Sequence, residues 1–395
     1  MSELLESRWQ ETKEALLEGL SGTKKSVMGV TLENTRKYLS ESATAGSTSA
    51  GNVATLNRVI LPVIRRVMPT VIANELVGVQ PMTGPVGQIH TLRVRYSDAV
   101  TNTSDSAQTT VAGEEALSPF KIAEQYSGGG SSSNGKAGAT ASLEGAAGNK
   151  MSIQILKQTV EAKTRKLSAR WTFEAAQDAQ AQQGIDIEAE IMAALAQEIT
   201  AEIDQEVLGS LLNLAGSQNQ ETFNQAAVSG TATFVGDEHA ALAVLINRVA
   251  NRIDQRTRRG AGNWAVVSPQ MLTVLQSATT SAFARTTEGT FEAPTNTKFV
   301  GTLNGAMKIY VNTYAADTAK ILIGYKGSSE SDAAAFYCPY IPLMSSGVVL
   351  DPATFEPVVS FMTRYGYVEL TNTASSLGNA ADYLGTVAVQ NVTFS

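Results

Sequence analysis

One cysteine and two histidines among 395 residues leave little for disulfide or histidine-based metal chemistry. Cys338 has no second cysteine to pair with, so no internal disulfide forms, and such sparing use suits synthesis in a reducing cytoplasm. His90 and His239 cannot between them supply the closed ligand set of a histidine-based zinc site. Long apolar runs are also missing. No stretch approaches the roughly 18 apolar residues that suggest a membrane-spanning helix. The opening MSELLESRWQ lacks the basic, then apolar, order of a secretory leader, so the chain is expected to be cytosolic when made. Positive charge is scarce as well: 30 basic residues face 37 acidic ones, a formal net charge of −7, and no segment gathers Lys and Arg among aromatics. Tight nucleic-acid binding is not expected from that balance.

What is present is a folded composition, 43% apolar and 17% charged, on a chain longer than one hydrophobic core usually serves. Two or three cooperating subdomains are expected. Residues 3 to 20 predict an amphipathic helix through Leu5, Trp9, Leu16 and Leu20. The Gly, Ser, Thr and Ala-rich stretch from Ser40 to Asn52 predicts a flexible joint, and residues 53 to 68 a second helix kinked at Pro62. Strands are predicted from Ile89 to Tyr96 and from Ile153 to Trp171, pairing as the flanks of a long hairpin. Between them, residues 101 to 149 carry no period and include the low-complexity run SGGGSSSNGKAGATAS.

Asp186 can cap a helix of about 28 residues, roughly 42 Å long, with the apolar row Ile187, Ile191, Leu195, Ile199, Ile203, Val207 and Leu211. A helix from Glu238 to Gln255, a strand at Ala265 and a short helix carrying Met271, Leu272 and Leu275 come next. Strands at residues 308–313, 320–325, 358–365 and 387–394 complete the pattern. Helices and strands mix without regular βαβ alternation, which favours an α+β fold.

Each candidate for chemistry is weakened by its surroundings. Gly130, Gly135 and Lys136 copy the start of a phosphate-binding loop, but Ala137 stands where a hydroxyl should hold magnesium, and neither a buried strand nor a helix pattern flanks them. Cys338 with a histidine would make a nucleophile, yet it sits in the apolar, Pro-punctuated FYCPYIP, which suits packing. Arg258 and Arg259 beside Gly260 and Gly262 can attract an anion, although a helix end whose cations complement the dipole explains them more simply. No catalytic, cofactor-binding or metal-binding residue is predicted. A nucleotide hydrolase acting through Lys136 and a Ser and Thr-rich surface adhesin remain as rival readings.

Three stretches resemble the major capsid proteins of T-even-like tailed bacteriophages. The first is VIRRVMPTVIANELVGVQPMTGPVGQIHTLRVRY from Val63 to Tyr96, with GVQPM at Gly78 to Met82. The second, KQTVEAKTRKLSARWTFEAAQDAQAQQGIDIEAEI, starts at Lys157. The third, IGYKGSSESDAAAFYCPYIPLMSSGVVLDPATFEPVVSFMTRYGY, runs from Ile323 to Tyr367 and holds that family's IxYKG, YxPYxPL and FxPxxxFxTRYG patterns in order. The resemblance covers most of residues 50 to 370. It implies a structural shell subunit, not an enzyme, with the α+β shell fold named for phage Hong Kong 97. A host-encoded nanocompartment shell of the same fold is the alternative.

The resemblance also implies a division of the chain. Residues 1–41 would be an amphipathic scaffold-like segment, 42–96 an amino-terminal arm and first peripheral-domain strand, and 97–165 an extended loop with its low-complexity tip at 127–148. Residues 166–224 would form a peripheral domain with a spine helix, 225–345 an axial domain, and 346–395 returning peripheral-domain strands. Relatives carry a folded insertion in the extended loop where this chain has only the low-complexity segment. Implied partners are copies of the chain in hexamers, with pentamers as a further form, and scaffold, portal, prohead protease, vertex and decoration proteins. No cofactor, membrane or sequence-specific nucleic-acid contact is implied, and the protein would reside in the virion capsid after assembly in the host cytoplasm. Relatives lose an amino-terminal segment to cleavage after glutamate in a Leu-x-Glu context, which Leu39, Ser40 and Glu41 supply before Ser42. Leu4, Leu5, Glu6 and Leu16, Leu17, Glu18 match too, within the first predicted helix.

Overall fold

The computed structural model describes Trp9, residues 13, 14, 16 and 17, then 22–45, 71–101, 109–114, 116, 126–128, 137, 140–145, 147–183, 186–215, 219–225, 235–257, 259–277, 283–285, 297–315, 320–329, 332–354, 356–370 and 380–391. Helix α1 (Gly22–Ala45) precedes the single turn α2 (Ala73–Leu76) and strand β1 (Gly78–Val79). Strands β2 (Val86–Tyr96) and β3 (Met151–Glu161) flank a loop that holds the turn α3 (Thr140–Leu143). Next come β4 (Lys163–Arg170), α4 (Phe173–Gln183), α5 (Ile187–Leu214), β5 (Gln220–Asn224), α6 (Val235–Thr257), β6 (Trp264–Val267) and α7 (Pro269–Ser277). The remaining strands are β7 (Phe283–Arg285), β8 (Thr297–Leu303), β9 (Met307–Asn312), β10 (Ile321–Gly324), β11 (Ala335–Ser345), β12 (Val349–Leu350), β13 (Pro357–Glu369) and β14 (Leu384–Gln390).

Helix α5 starts where the sequence places its cap. The Asp186 carboxylate accepts from Glu188 N at 3.1 Å and Ala189 N at 3.5 Å, and Glu188 and Glu190 complement the dipole in the first turn. Along the apolar row burial deepens: Ile187 and Ile191 are half-buried, and every member from Leu195 to Leu211 is buried. The helix shares one core with a face of each of two sheets. A seven-stranded mixed sheet runs β5-β14-β10-β6-β9-β8-β7; a five-stranded sheet runs β1-β11-β13-β12, with β4 also paired to β13. In the larger sheet Trp264, Val266 and Leu322 face the α5 core, while Ala265, Val267, Ile321 and Ile323 face a second core with α6 and α7. Coverage on both faces is why WAVV and ILIG read as continuous apolar runs.

The α+β organisation follows the expectation; several details do not. The single returning strand expected from Ile153 to Trp171 breaks at Ala162, because β4 leaves the hairpin to pair antiparallel with β13 over Lys163–Arg170. The flexible joint expected from Ser40 does not start there. Helix α1 continues to Ala45 and takes in Leu39, Ser40, Glu41 and Ser42, since a helix already nucleated upstream extends readily through Ala, Ser and Glu. The kinked helix expected over residues 53 to 68 lies outside the described residues; of the first helix, Trp9, Lys13, Glu14, Leu16 and Leu17 are described and helical. Strand β11 carries no sequence expectation, because Pro339 and Pro342 argue against a central strand. Both prolines fall at the register shifts between Pro339 and Ile341 and between Ile341 and Met344, where the ladder lapses. Strands β5 and β14 belong to the seven-stranded sheet and β11 to the five-stranded one.

The loop between β2 and β3 is not featureless. Tyr96, Val100, Ala116 and Tyr126 form a small buried cluster, with the two tyrosine rings 4.4 Å apart. The Tyr126 hydroxyl donates to Lys150 O, Asn149 Nδ2 donates to Tyr126 O at 2.6 Å, and Lys150 N donates to Asp98 Oδ2 at 2.7 Å.

Candidate functional site

The three stretches that carry the resemblance meet where the five-stranded sheet packs on α5. Gly78 and Val79 pair in parallel with Phe336 and Tyr337, and Met82 N donates to Pro339 O at 3.0 Å. Thr363 Oγ1 donates to Ile341 O at 3.1 Å, satisfying a carbonyl at the register shift, and the Arg364 guanidinium lies 5.3 Å from the Tyr340 ring centroid. At Gly366 a Cβ would overlap Val160 Cγ1 and stand 3.2 Å from Glu161 O, because β3 passes directly over β13 there.

Arg165 on β4 clamps this sheet to α5. Its Nε donates to the Tyr365 hydroxyl, Nη1 to Glu202 and Nη2 to Glu206, each at 2.6 Å, and Tyr365 in turn donates to Glu206. Burial alone would raise the Glu206 carboxyl, but the hydrogen bonds from Tyr365 and Arg165 outweigh it and hold that carboxyl below its usual range. Two residues before Glu206, Asp204 is only 2% exposed. Its Oδ1 accepts from Ile72 N at 2.9 Å, and burial pushes its pKa up to about 7 against that one opposing bond.

A second set of polar joints ties the seven-stranded sheet to its surroundings. Gly324 leaves room for the Trp264 indole, which a side chain there would overlap. The Tyr325 hydroxyl donates to Arg259 O at 3.0 Å, and Lys326 Nζ reaches Asn74 O at 2.8 Å, in α2. Arg259 Nη1 binds Asp332 at 2.6 Å and Arg256 Nη1 binds the buried Asp382 at 2.8 Å. Arg259 is thus a structural ion-pair member; Arg258 lies outside the described residues.

The β2–β3 ribbon carries a cluster of exposed aliphatic side chains among the described residues. All eleven residues of β2 pair with β3, from Val86↔Glu161 to Tyr96↔Met151, yet Met151, Ile153 and Ile155 are 53%, 68% and 66% exposed. A two-stranded ribbon is marginal alone in water, and a row of bare aliphatic side chains along one asks for a cover. Val349 and Leu350 on β12 are exposed as well.

The residues singled out for chemistry are not assembled. His90 is exposed on the ribbon, whereas His239 is buried on α6 with Nδ1 2.5 Å from Ser277 Oγ. Cys338 is buried with Met82, Val160 and Phe336, and burial pushes its thiol up to about 12. Ala137 is exposed, and Gly130, Gly135 and Lys136 lie outside the described residues. Among the described residues no group of three or more His, Cys, Asp or Glu could hold a metal ion, and no helix is long and apolar enough to cross a membrane. Sequence reasoning missed Arg165 and Asp204, whose partners are distant in the chain.

Comparison with known proteins bears on the whole frame. The family model described as Major capsid protein Gp23 matches residues 53–389. A major capsid protein of Vibrio phage KVP40 is 30% identical, the match covering 85% of this chain and 81% of that one. That of Enterobacteria phage T4 is also 30% identical, covering 83% and 78%. Among solved structures, a chain from Microbacterium phage Oxtober96 is 12% identical with a TM-score of 0.49, covering 80% of this chain and 90% of that one.

Proposed function

The chain belongs to the Gp23 major capsid protein family, and from that premise we propose which of its surfaces build the shell. It is a structural subunit of a tailed-phage capsid that assembles with copies of itself in the virion. A host-encoded nanocompartment reading has no support among these relatives. The β2–β3 ribbon is the main reach of one subunit onto the next, with Met151, Ile153 and Ile155 lying on the neighbour, and this bare apolar row is the observation that carries the reading. Contacts of that kind are heterologous: the ribbon of one copy meets a different surface of the next, so rotation closes rings. The ring proposed for this chain is a hexamer, with a pentamer as a further form, each interface being on the order of 2,000 Å² or more, as an obligate contact needs.

The finer parts of the reading are these. The subunit's role is structural, and among the described residues the polar clusters around Arg165 and Arg259 serve as joints between elements. It assembles in the host cytoplasm, with scaffold, portal, prohead protease, vertex and decoration proteins as partners. The five-stranded sheet with α5 serves as the peripheral domain and most of residues 225–345 as the axial domain. A prohead protease cuts after Glu41. Loss of residues 1–41 removes six basic and seven acidic residues, leaving 24 against 30, so net charge moves only from −7 to −6; the cut acts through contacts.

The test replaces Ile153 and Ile155 together by Lys. Because both side chains are exposed, the subunit should keep its circular dichroism while negative-stain microscopy shows rings and shells replaced by unassembled subunits. Shells of normal yield from the double variant would remove the ribbon from the interface.

A further inference from the structure

We propose that the surface formed by Met82, Tyr340 and Glu75 is a peptide-binding seat for the amino-terminal segment of this same chain, which stays bound there after the connecting chain is cut. The seat is built from specific contacts. Asn34 is buried, and its Nδ2 donates to Met82 O at 2.7 Å and to Tyr340 O at 2.9 Å. Tyr340 lies at the register shift between Pro339 and Ile341, where β11 and β13 lose their ladder. Lys24 Nζ binds Glu75 Oε1 at 2.6 Å, Val27 enters the core shared with α5, and Thr31 is fully buried. Behind α1, Trp9, Leu16 and Leu17 pack on Met28 and Leu32, while Trp9 Nε1 and Lys13 Nζ reach Glu33 at 3.2 and 3.4 Å.

Every one of these anchors lies between Trp9 and Asn34. A break of the backbone anywhere after α1, or within its last two turns at Glu41, therefore severs none of them. Departure of the segment would take the amide donor from two carbonyls and bare the apolar patch under Val27, both unfavourable. Cleavage and release become separate events, and release requires a second step that breaks the Asn34 and Lys24 contacts. The seat stands on the contacts alone; its part in maturation rests on the proposed cut after Glu41.

The experiment uses the full chain with a site-specific protease sequence inserted within residues 46–52. The protein is cut under native conditions and passed over a sizing column, and the fractions are resolved by denaturing electrophoresis. The wild-type fragment should co-elute with the body. In Lys24→Ala with Asn34→Ala it should leave, its affinity lowered on the order of a hundredfold. Circular dichroism of the uncut variant reports whether it is folded, and the wild-type arm is decisive by itself. A wild-type fragment that elutes alone directly after cutting, or a folded double variant that retains its fragment as tightly, overturns the proposal. Because the cut is engineered, a failure here is distinct from a failure of native processing, which the mass of subunits from particles reads.

Discussion

Asp204 is the residue whose environment departs furthest from its sequence. Its carboxyl is buried near Tyr337, and among the described residues Ile72 N donates the hydrogen bond that opposes the effect of burial. Its folded pKa of about 7 stands above the unfolded value of 3.8. The protonated form therefore contributes stability that is complete below about pH 4 and is lost as the pH rises through about 7. Asp204→Asn keeps an oxygen for Ile72 N and removes the charge. The unfolding free energy of the variant should gain on the wild type by roughly 3 kcal/mol between pH 5 and pH 8; an unchanged difference across that range would mean that Asp204 is ionised throughout. Gly366 makes the opposite demand, for space. Gly366→Ala drives a methyl into Val160 and toward Glu161 O and should cost about 2 kcal/mol, seen as a lower melting temperature. Neither role is legible locally: Ile72 is 132 positions from Asp204, and a glycine before an aromatic looks the same whether or not another strand crosses it.

At the scale of elements, legibility follows periodicity. Helix α5 could be read with its cap, its length and its apolar row because a long helix repeats its signal over many turns. The hairpin pairing was readable for the same reason, from two alternating runs either side of a polar tract. Strand β11 was not, because its prolines mimic a breaker and only the partner strand reveals that they sit at lapses in the ladder. The Tyr96 and Tyr126 cluster escaped notice because small polar residues swamp two aromatics 30 positions apart. The cap offers a direct measurement. Asp186→Ala removes the acceptor for Glu188 N and Ala189 N and should cost about 1 kcal/mol, with fraying confined to the first turn of α5 in hydrogen exchange. Uniform loss of protection along the helix would mean that its start and its buried end are one cooperative unit.

For the whole molecule, Arg165, Lys326 and Arg259 join the sheets, α5 and α2 into one frame, and the exposed ribbon and the docked amino-terminal segment are appended to it. What the sequence could not convey is that the segment belongs to the frame's surface, since Asn34 and Tyr340 are 306 positions apart. This alters what the proposed processing would involve. The proposed cleavage site at Leu39, Ser40 and Glu41 lies within α1, and a protease that binds extended chain would first have to unwind the last turns of that helix. Those turns lie beyond Asn34, the last anchor among the described side chains, so they can open without breaking the contacts described. Cutting should therefore be slowed by helix formation and not prevented by docking. Intact-mass measurement on subunits from infectious particles is expected to give a chain beginning at Ser42, whereas a chain beginning at Met1 or Ser2 rejects the cut. Made more helical by Ser40→Ala and Ser42→Ala, the site should be processed more slowly, and an equal rate would mean that the protease meets this segment before α1 has formed.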